Sequence, residues 1–220
     1  MFVGHYGISF AVKSIDRRIS LWLLFMAVQF VDVLWAIFVL LGVEKVRITP
    51  GITATNPLDL YYMPYTHSLV SAFVWAGVGF LAYKFGRGSA SRTALLVAAA
   101  VFSHWVLDLV VHRPDLPLYD DKYKLGLGLW NYPALALTLE ASVLFGGVIL
   151  YLRTSKAASS LGRYGMPVFG ILLIGLQAMI FFGAPPSSPV AAALTALASY
   201  IVLAGIVYWL DRQRVWKGTS

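Results

Sequence analysis

The 220-residue chain is 59% hydrophobic, has only 12% charged residues and has a mean hydropathy of +0.75. These values exclude an ordinary soluble globular domain and predict an integral membrane protein. The formal net charge of +7 does not indicate nucleic-acid binding, because the basic residues cluster at alternate ends of the apolar segments. The chain has no cysteine, so any metal ion must be held by nitrogen and oxygen ligands.

The apolar runs predict a short N-terminal helix followed by six spanning helices. Residues 2–12 are apolar but too few to cross ~30 Å of hydrocarbon, so we expect a half-crossing or re-entrant helix there. Runs of roughly 20 residues or more, long enough to span, lie at 20–43, 67–85, 93–112, 132–152, 165–182 and 190–210. The predicted fold is therefore a single all-α membrane bundle.

Charge at the junctions predicts how the bundle is oriented. Basic residues are concentrated at 13–18, 84–92, 153–163 and 212–217, which the positive-inside rule places in the cytoplasm together with the C-terminus. The junctions at 44–66 and 113–131 mix basic with acidic residues, so we expect them on the outer side.

Ionisable side chains within the predicted spans gather in one layer. A lone carboxylate at a helix centre costs about 2.5 kcal/mol or more, so Asp32, Asp108 and Glu140 need a partner or a cation. Counted along their helices from the nearest basic junction, these carboxylates and two of the histidines lie roughly 18 to 26 Å deep, in the outer half of the bilayer. His5 reaches the same layer if its helix enters from the cytoplasmic side.

The segment SHWVLDLVVH adds a stripe of ligands on one helix face. His104, Asp108 and His112 are spaced i, i+4, i+8, and each step turns the side chain by only ~40°. Imidazole and carboxylate groups suit zinc, with manganese or iron as alternatives, and there are enough ligands for one or two ions. The candidate metal ligands are His5, Asp32, His67, His104, Asp108, His112 and Glu140.

Three alternatives to a catalytic metal site stay open for this layer. The polar residues could be interhelical hydrogen-bonding groups, or they could form the path of a proton or metal-ion transporter. A metal could also staple the helices without catalysis, which would require a closed ligand shell. A transporter would be expected to have repeat-related broken helices, whereas all of this polar layer lies in the first 140 residues.

The order of the motifs resembles a known family. An N-terminal helix with His5 is followed by QFVDVLW, PYTHSLV, SHWVLDL and KLGLGLWNYPALALTLE. Over about residues 1–150 this order resembles the YdjM-like family of membrane-bound metal-dependent hydrolases, and it is similar to the zinc-dependent phospholipase C and single-strand nuclease superfamily. The resemblance implies a phosphoesterase of the bacterial inner membrane. It departs at Ala136, where a histidine is expected, and in lacking an N-terminal tryptophan ligand, which favours two ions over three.

The resemblance also implies roles for two of the carboxylates, and the chemistry and position of other charged residues give further expectations. Asp32 is expected to bridge the ions or orient the attacking water, and Asp108 to act with it. Arg113 is expected either to bind a phosphate charge bidentately or to reach lipid head groups as an interfacial arginine. Asp115, like its neighbours Asp120 and Asp121, is expected to be a solvated loop charge.

Depth and composition predict the substrate and the role of the C-terminal helices. A site in the outer leaflet favours a lipid phosphate or phospholipid as substrate. Residues 1–160 are expected to form the metal-site core. The spans within 161–220 hold no ionisable residue and offer the small residues of AAALTALASY, so we expect them to be a scaffold or a homo-oligomer face of the same domain.

Overall fold

The computed structural model describes residues 1–216, so Lys217, one of the basic residues predicted to face the cytoplasm, lies outside the described residues. The chain is mostly helical, as predicted. The helices are α1 (Val3–Ile15), α2 (Leu21–Val28), α3 (Phe30–Leu40), α4 (Leu69–Gly86), α5 (Ser91–Val111), α6 (Pro133–Thr154), α7 (Ser160–Phe182) and α8 (Pro189–Asp211). Two antiparallel ribbons join them, β1 (Lys45–Ile48) with β2 (Leu58–Tyr62) and β3 (Ser155–Ala157) with β4 (Arg214–Trp216).

The helix lengths support an integral membrane protein. Helices α4 to α8 are each long and apolar enough to cross a bilayer, and α2 with α3 makes a sixth crossing if the pair is one span. That pair is bent by 54°, because the chain leaves the helical conformation at Gln29, where φ is −102° and ψ is 6°. Helix α1 has 13 residues and is about 20 Å long, which is too short to cross.

Caps and prolines fix the ends of the helices. The side chains of Ser68, Ser159 and Ser188 accept backbone N–H bonds in the first turns of α4, α7 and α8. Helix α5 ends at Val111 because Pro114 has no N–H and disfavours a helical conformation in the residue before it. The stripe of ligands on α5 therefore stops where the long loop begins.

Helix α1 lies inside the bundle and packs chiefly against α6. The two backbones meet at glycines: a Cβ on Gly147 would lie 2.0 Å from the carbonyl oxygen of Gly7, and a Cβ on Gly7 would lie 2.2 Å from that of Val143. A larger residue at either position would push the helices apart. This contact carries His5 into the interior, where its side chain has no exposed surface.

One end of the bundle, which we call the basic end, carries residues 13–18, 84–92 and 153–163. Here the Asp16 carboxylate joins the turn between α1 and α2 to α5 by hydrogen bonds. Arg18 donates to its carboxylate from Nε at 2.8 Å and from Nη2 at 2.6 Å, and the Thr93 hydroxyl donates at 2.8 Å. The Arg18 guanidinium and the Thr93 hydroxyl hold the pKa of Asp16 below its usual range.

The opposite end, which we call the loop end, consists of residues 41–68 and 112–132. The two loops are bonded to each other, since the Thr55 hydroxyl donates to the Trp130 carbonyl at 3.0 Å and Lys124 Nζ donates to the Tyr61 carbonyl at 2.9 Å. Gly126 has φ +158°, and a Cβ there would lie 2.1 Å from the Arg113 carbonyl oxygen. The loops thus form one layer over the end of α5.

Candidate metal centre

Four segments bring their polar side chains together below the loop end. His5 comes from α1, Asp32 from the first turn of α3, His67 from the residues before α4, and the α5 stripe supplies His104, Asp108 and His112. The four histidines and Asp108 are at most 3% exposed, whereas the Asp32 side chain is 18% exposed. Six of the seven candidate ligands predicted from the sequence therefore lie together in one cluster.

Asp108 is the central carboxylate of this cluster. Its Oδ1 lies 3.2 Å from His5 Nε2, and the amino group of Met1 contacts the same oxygen. Its Oδ2 lies 3.0 Å from His104 Nε2 and 3.6 Å from His112 Nε2. Each oxygen of this carboxylate thus serves different histidines.

Asp32 forms the second focus of the cluster. Its Oδ1 lies 3.3 Å from His67 Nε2 and 3.4 Å from His104 Nε2, so His104 stands between the two carboxylates. The Tyr200 hydroxyl donates to Asp32 Oδ2 at 3.0 Å, which brings α8 to the centre. Two groups could hold a metal ion, His5, His104, Asp108 and Asp32, His67, His104, and because both use His104, this histidine can serve only one of the two positions at a time.

Two histidines are oriented by hydrogen-bond acceptors beside Nδ1, the ring nitrogen that faces away from Asp108. His104 Nδ1 lies 2.7 Å from the Val28 carbonyl oxygen, which can only accept, so Nδ1 carries the hydrogen. His112 Nδ1 donates to Asp115 Oδ1 at 2.8 Å. In both rings Nε2 is therefore left facing Asp108.

A longer relay orients His67. The Thr66 hydroxyl donates to Glu44 Oε2 at 2.6 Å, so its oxygen is free to accept from His67 Nδ1 at 2.7 Å. Burial raises the pKa of Glu44, and its Oε1 accepts the backbone N–H groups of Tyr65 and Thr66. Outer acceptors of this kind are typical of metal-ligating histidines.

These orientations fit a metal ion. If the imidazoles are neutral, their Nε2 lone pairs face carboxylate oxygens at 3.0 to 3.9 Å, an arrangement that repels unless a cation lies between them. Protons could replace the cation, but the His67 ring lies 5.5 Å from His104 and 6.3 Å from His112, so neighbouring imidazolium charges would repel. A divalent ion would balance both carboxylates and leave every histidine neutral.

Two predicted site residues lie elsewhere. Glu140 Oε2 accepts the backbone N–H groups of Phe2 and Gly4, each at 3.1 Å, so it caps the start of α1 and belongs to neither ligand group. Arg113 donates to Asp59 and, from Nε at 3.2 Å, to Asp115. A ligand role for Glu140 and a phosphate-binding role for Arg113 stay predictions.

The interpretation of Asp115 as a solvated loop charge is wrong. The residue is 4% exposed and accepts hydrogen bonds from His112 and Arg113. Asp115 is buried because it lies three positions after His112 and the chain turns at Pro114. Its carboxylate thereby reaches Nδ1 of the His112 imidazole. Glu44 and Tyr200 were also missed, since their partners Thr66 and Asp32 lie 22 and 168 positions away in the chain. Thr66 was missed because a threonine beside a histidine does not by itself indicate a hydrogen bond between them.

A cavity of about 750 Å³ reaches the centre. Its inner end is lined by Asp32, His67, Asp108 and His112, and its walls come mainly from α7 and α8. Exposed residues of the loop at 50–58 and of the turn between α7 and α8, such as Pro50, Gly51 and Ala184, also line it. The ligand groups are therefore accessible to a molecule that enters this cavity.

Comparison of the chain with models of protein families, with curated proteins and with solved structures gives no significant match.

Proposed function

We propose that this protein is a membrane-embedded, metal-dependent hydrolase that cleaves a phosphoester of a membrane lipid. The observation that carries the proposal is the convergence of four histidine Nε2 atoms on Asp32 and Asp108 at the inner end of an open cavity. Access from a cavity favours catalysis over a structural staple, because structural sites close their ligand shell.

The chemistry follows from the donor set. Bound zinc or another divalent ion would lower the pKa of water and polarise a phosphoryl oxygen. Asp108 would hold the histidines of both ligand groups in register. Asp32 and Asp108 both border the cavity, but the Asp32 side chain is 18% exposed and that of Asp108 only 2%, so Asp32 is the residue to orient the attacking water and accept its proton.

The sequence motifs give this proposal its reaction class. The order of His5, Asp32, His67 and the H-x3-D pair resembles the YdjM-like membrane hydrolases, for which a metal-dependent hydrolysis is the implied activity. The resemblance favours zinc and a phosphoester. It also favours a location of the site near the outer face of a bacterial inner membrane.

The transporter alternative has less support. Apolar side chains fill the bundle between the centre and the basic end, and Phe10, Leu24, Phe25 and Val101 there are at most 2% exposed. An ion moving from the centre to the basic end would have to cross this packed layer. A hydrolase needs access from one side only.

The test combines metal content with turnover. Elemental mass spectrometry on detergent-purified protein should find one or two transition-metal ions in the wild type and a loss of metal in His104→Ala and Asp108→Ala. Ser103→Ala is the control on the same helix, since its hydroxyl donates only to the Ala100 carbonyl, and it should keep its metal.

Turnover on a lipid phosphate then tests the catalytic role. Asp32→Asn should keep at least one ion and lose 100-fold or more in rate. Full turnover by Asp32→Asn with metal bound would contradict the role of this carboxylate. A wild type that stays metal-free after reloading with zinc or manganese would overturn the hydrolase proposal and favour a proton path.

A further inference from the structure

We propose that the cleft between α7 and α8 binds the hydrocarbon chain and glycerol backbone of the substrate lipid, while its phosphate occupies the metal centre. The inference rests on the proposed function and names the residues that bind each part of the substrate lipid. It gives the two C-terminal helices a binding role.

Helices α7 and α8 approach each other closely near the basic end. There, a Cβ on Gly165 would lie 2.8 Å from Leu210, and a Cβ on Gly162 would lie 2.1 Å from the Gln213 carbonyl oxygen. Towards the loop end both helices line the cavity instead. The gap therefore widens in the half of the bundle that contains the metal centre.

Small side chains on α8 keep this gap open. Ala192, Thr195, Ala196 and Ser199 are spaced i, i+3, i+4, i+7, so they share one helix face, and all four line the cavity. Facing them on α7 are apolar residues such as Leu176 and Ile180. A groove with small residues on one wall and aliphatic residues on the other accepts a chain of methylene groups.

The surroundings identify the occupant. Both walls belong to helices long and apolar enough to span a membrane, so the medium beside the cleft is lipid hydrocarbon. The inner end of the cavity offers histidines and two carboxylates that could hold a metal ion, which together suit an anionic phosphate. A molecule with a phosphate at one end and a hydrocarbon chain at the other satisfies both ends.

Two unpartnered polar groups in the cavity wall suggest what joins chain and phosphate. Gln177 on α7 is 2% exposed, and its Oε1 has no hydrogen-bond partner among the described residues. Trp35 on α3 is 5% exposed, and within the same part of the chain its Nε1 has none either. Buried groups of this kind call for partners. The hydroxyl and ester carbonyl of a glycerol backbone supply one donor and one acceptor.

Binding of a non-hydrolysable lipid tests the cleft independently of catalysis. The probe is a long-chain alkyl phosphonate, titrated against zinc-loaded full-length protein and followed by native mass spectrometry. Ala196→Phe fills the cleft and should raise the Kd at least tenfold. Ala198→Phe, on an exposed face of α8 outside the cavity, is the matched control and should stay within twofold of wild type.

Metal content is measured on each variant, because it distinguishes a variant that no longer folds from one in which only the cleft has changed. If Ala196→Phe loses its metal, the binding experiment uses Ala192→Phe, on the same face of α8, instead. Wild-type affinity in a metal-loaded cleft variant overturns the inference. If the probe binds with the expected cleft dependence but the wild type hydrolyses no matching phosphate lipid, the cleft stands and the proposed function falls.

Gln177→Leu tests the contact with the backbone. It should weaken a phosphonate that carries a glycerol hydroxyl and ester at least threefold, and leave the plain alkyl phosphonate unchanged. An equal loss with both probes would mean that Gln177 only supports the packing of α7, and the glycerol part of the inference would be overturned.

Discussion

Each histidine of the α5 stripe is held by a residue on the side away from the other ligands. For His112 that residue is Asp115, whose carboxylate accepts from Nδ1 and is itself bound by Arg113. The charge of Asp115 makes the imidazole a stronger donor to a metal, and such partners typically contribute 10- to 100-fold in metal affinity.

We therefore expect Asp115→Asn to lower zinc affinity about tenfold, because the neutral amide keeps the shape but removes the charge. Competition with a chromogenic chelator measures the affinity. Asp120→Asn is the control, since Asp120 is exposed and its φ of +51° suits asparagine. Equal affinities in the two variants would mean that Asp115 does not tune the site.

The members of the buried cluster could be predicted because ionisable residues are costly and rare in apolar helices. His104 and Asp108 stand out for this reason, and the i, i+4 rule places them on one face without a structure. Burial of Asp115 or Glu44 could not be predicted in the same way. Both lie in loops, where a carboxylate is normally solvated, and only the tertiary fold covers them.

At the scale of the elements, the crossing of α1 and α6 positions His5. Gly147 has no room for a Cβ against the Gly7 backbone, whereas neighbouring Gly146 faces open space. Gly147→Ala must therefore displace α1 and with it one ligand of the His5, His104, Asp108 group.

We expect Gly147→Ala to destabilise the protein by roughly 1 to 3 kcal/mol, as overpacking does, and to reduce bound metal. Thermal unfolding in detergent and elemental analysis measure the two effects. Gly146→Ala adds the same methyl group one residue away, and it should match wild type in thermal stability and in bound metal. Unchanged metal in Gly147→Ala would show that α1 does not position the ligand.

The helices were predictable from the length of the apolar runs, but their interruptions were not. Residues 20–43 read as one span because Gln29 is a single polar residue among apolar neighbours, and the break depends on tertiary contacts such as its bond to the Phe2 carbonyl at 3.1 Å. The β1–β2 ribbon was missed because its pairing joins segments separated by a loop of nine residues, 49–57.

For the whole molecule, the distribution of charge predicts which end faces the cytoplasm. The chain has no cysteine, so single cysteines can be labelled without background. We expect a membrane-impermeant maleimide to label Tyr119→Cys at the loop end in intact cells, and Ala90→Cys at the basic end only after permeabilisation. Both positions are exposed. The reverse pattern would invert the proposed orientation.

The cavity between α7 and α8 could not have been predicted from composition. Their sequences are apolar on every side, so periodicity does not distinguish a face that contacts lipid from one that lines a cavity. A hydrogen bond from the Tyr200 hydroxyl to Asp32 joins this pair to the candidate centre. Whether the pair also forms a homo-oligomer face stays a prediction.

The bend between α2 and α3 has a consequence for the bilayer itself. Eight and eleven residues joined at 54° reach only about 24 Å along the membrane normal if α3 stands upright, against ~30 Å of hydrocarbon. Lipids beside a short span thin to match it. The phosphates next to Asp32 would then sit several ångströms deeper than elsewhere, so a lipid would reach the candidate metal centre with little displacement from its own leaflet.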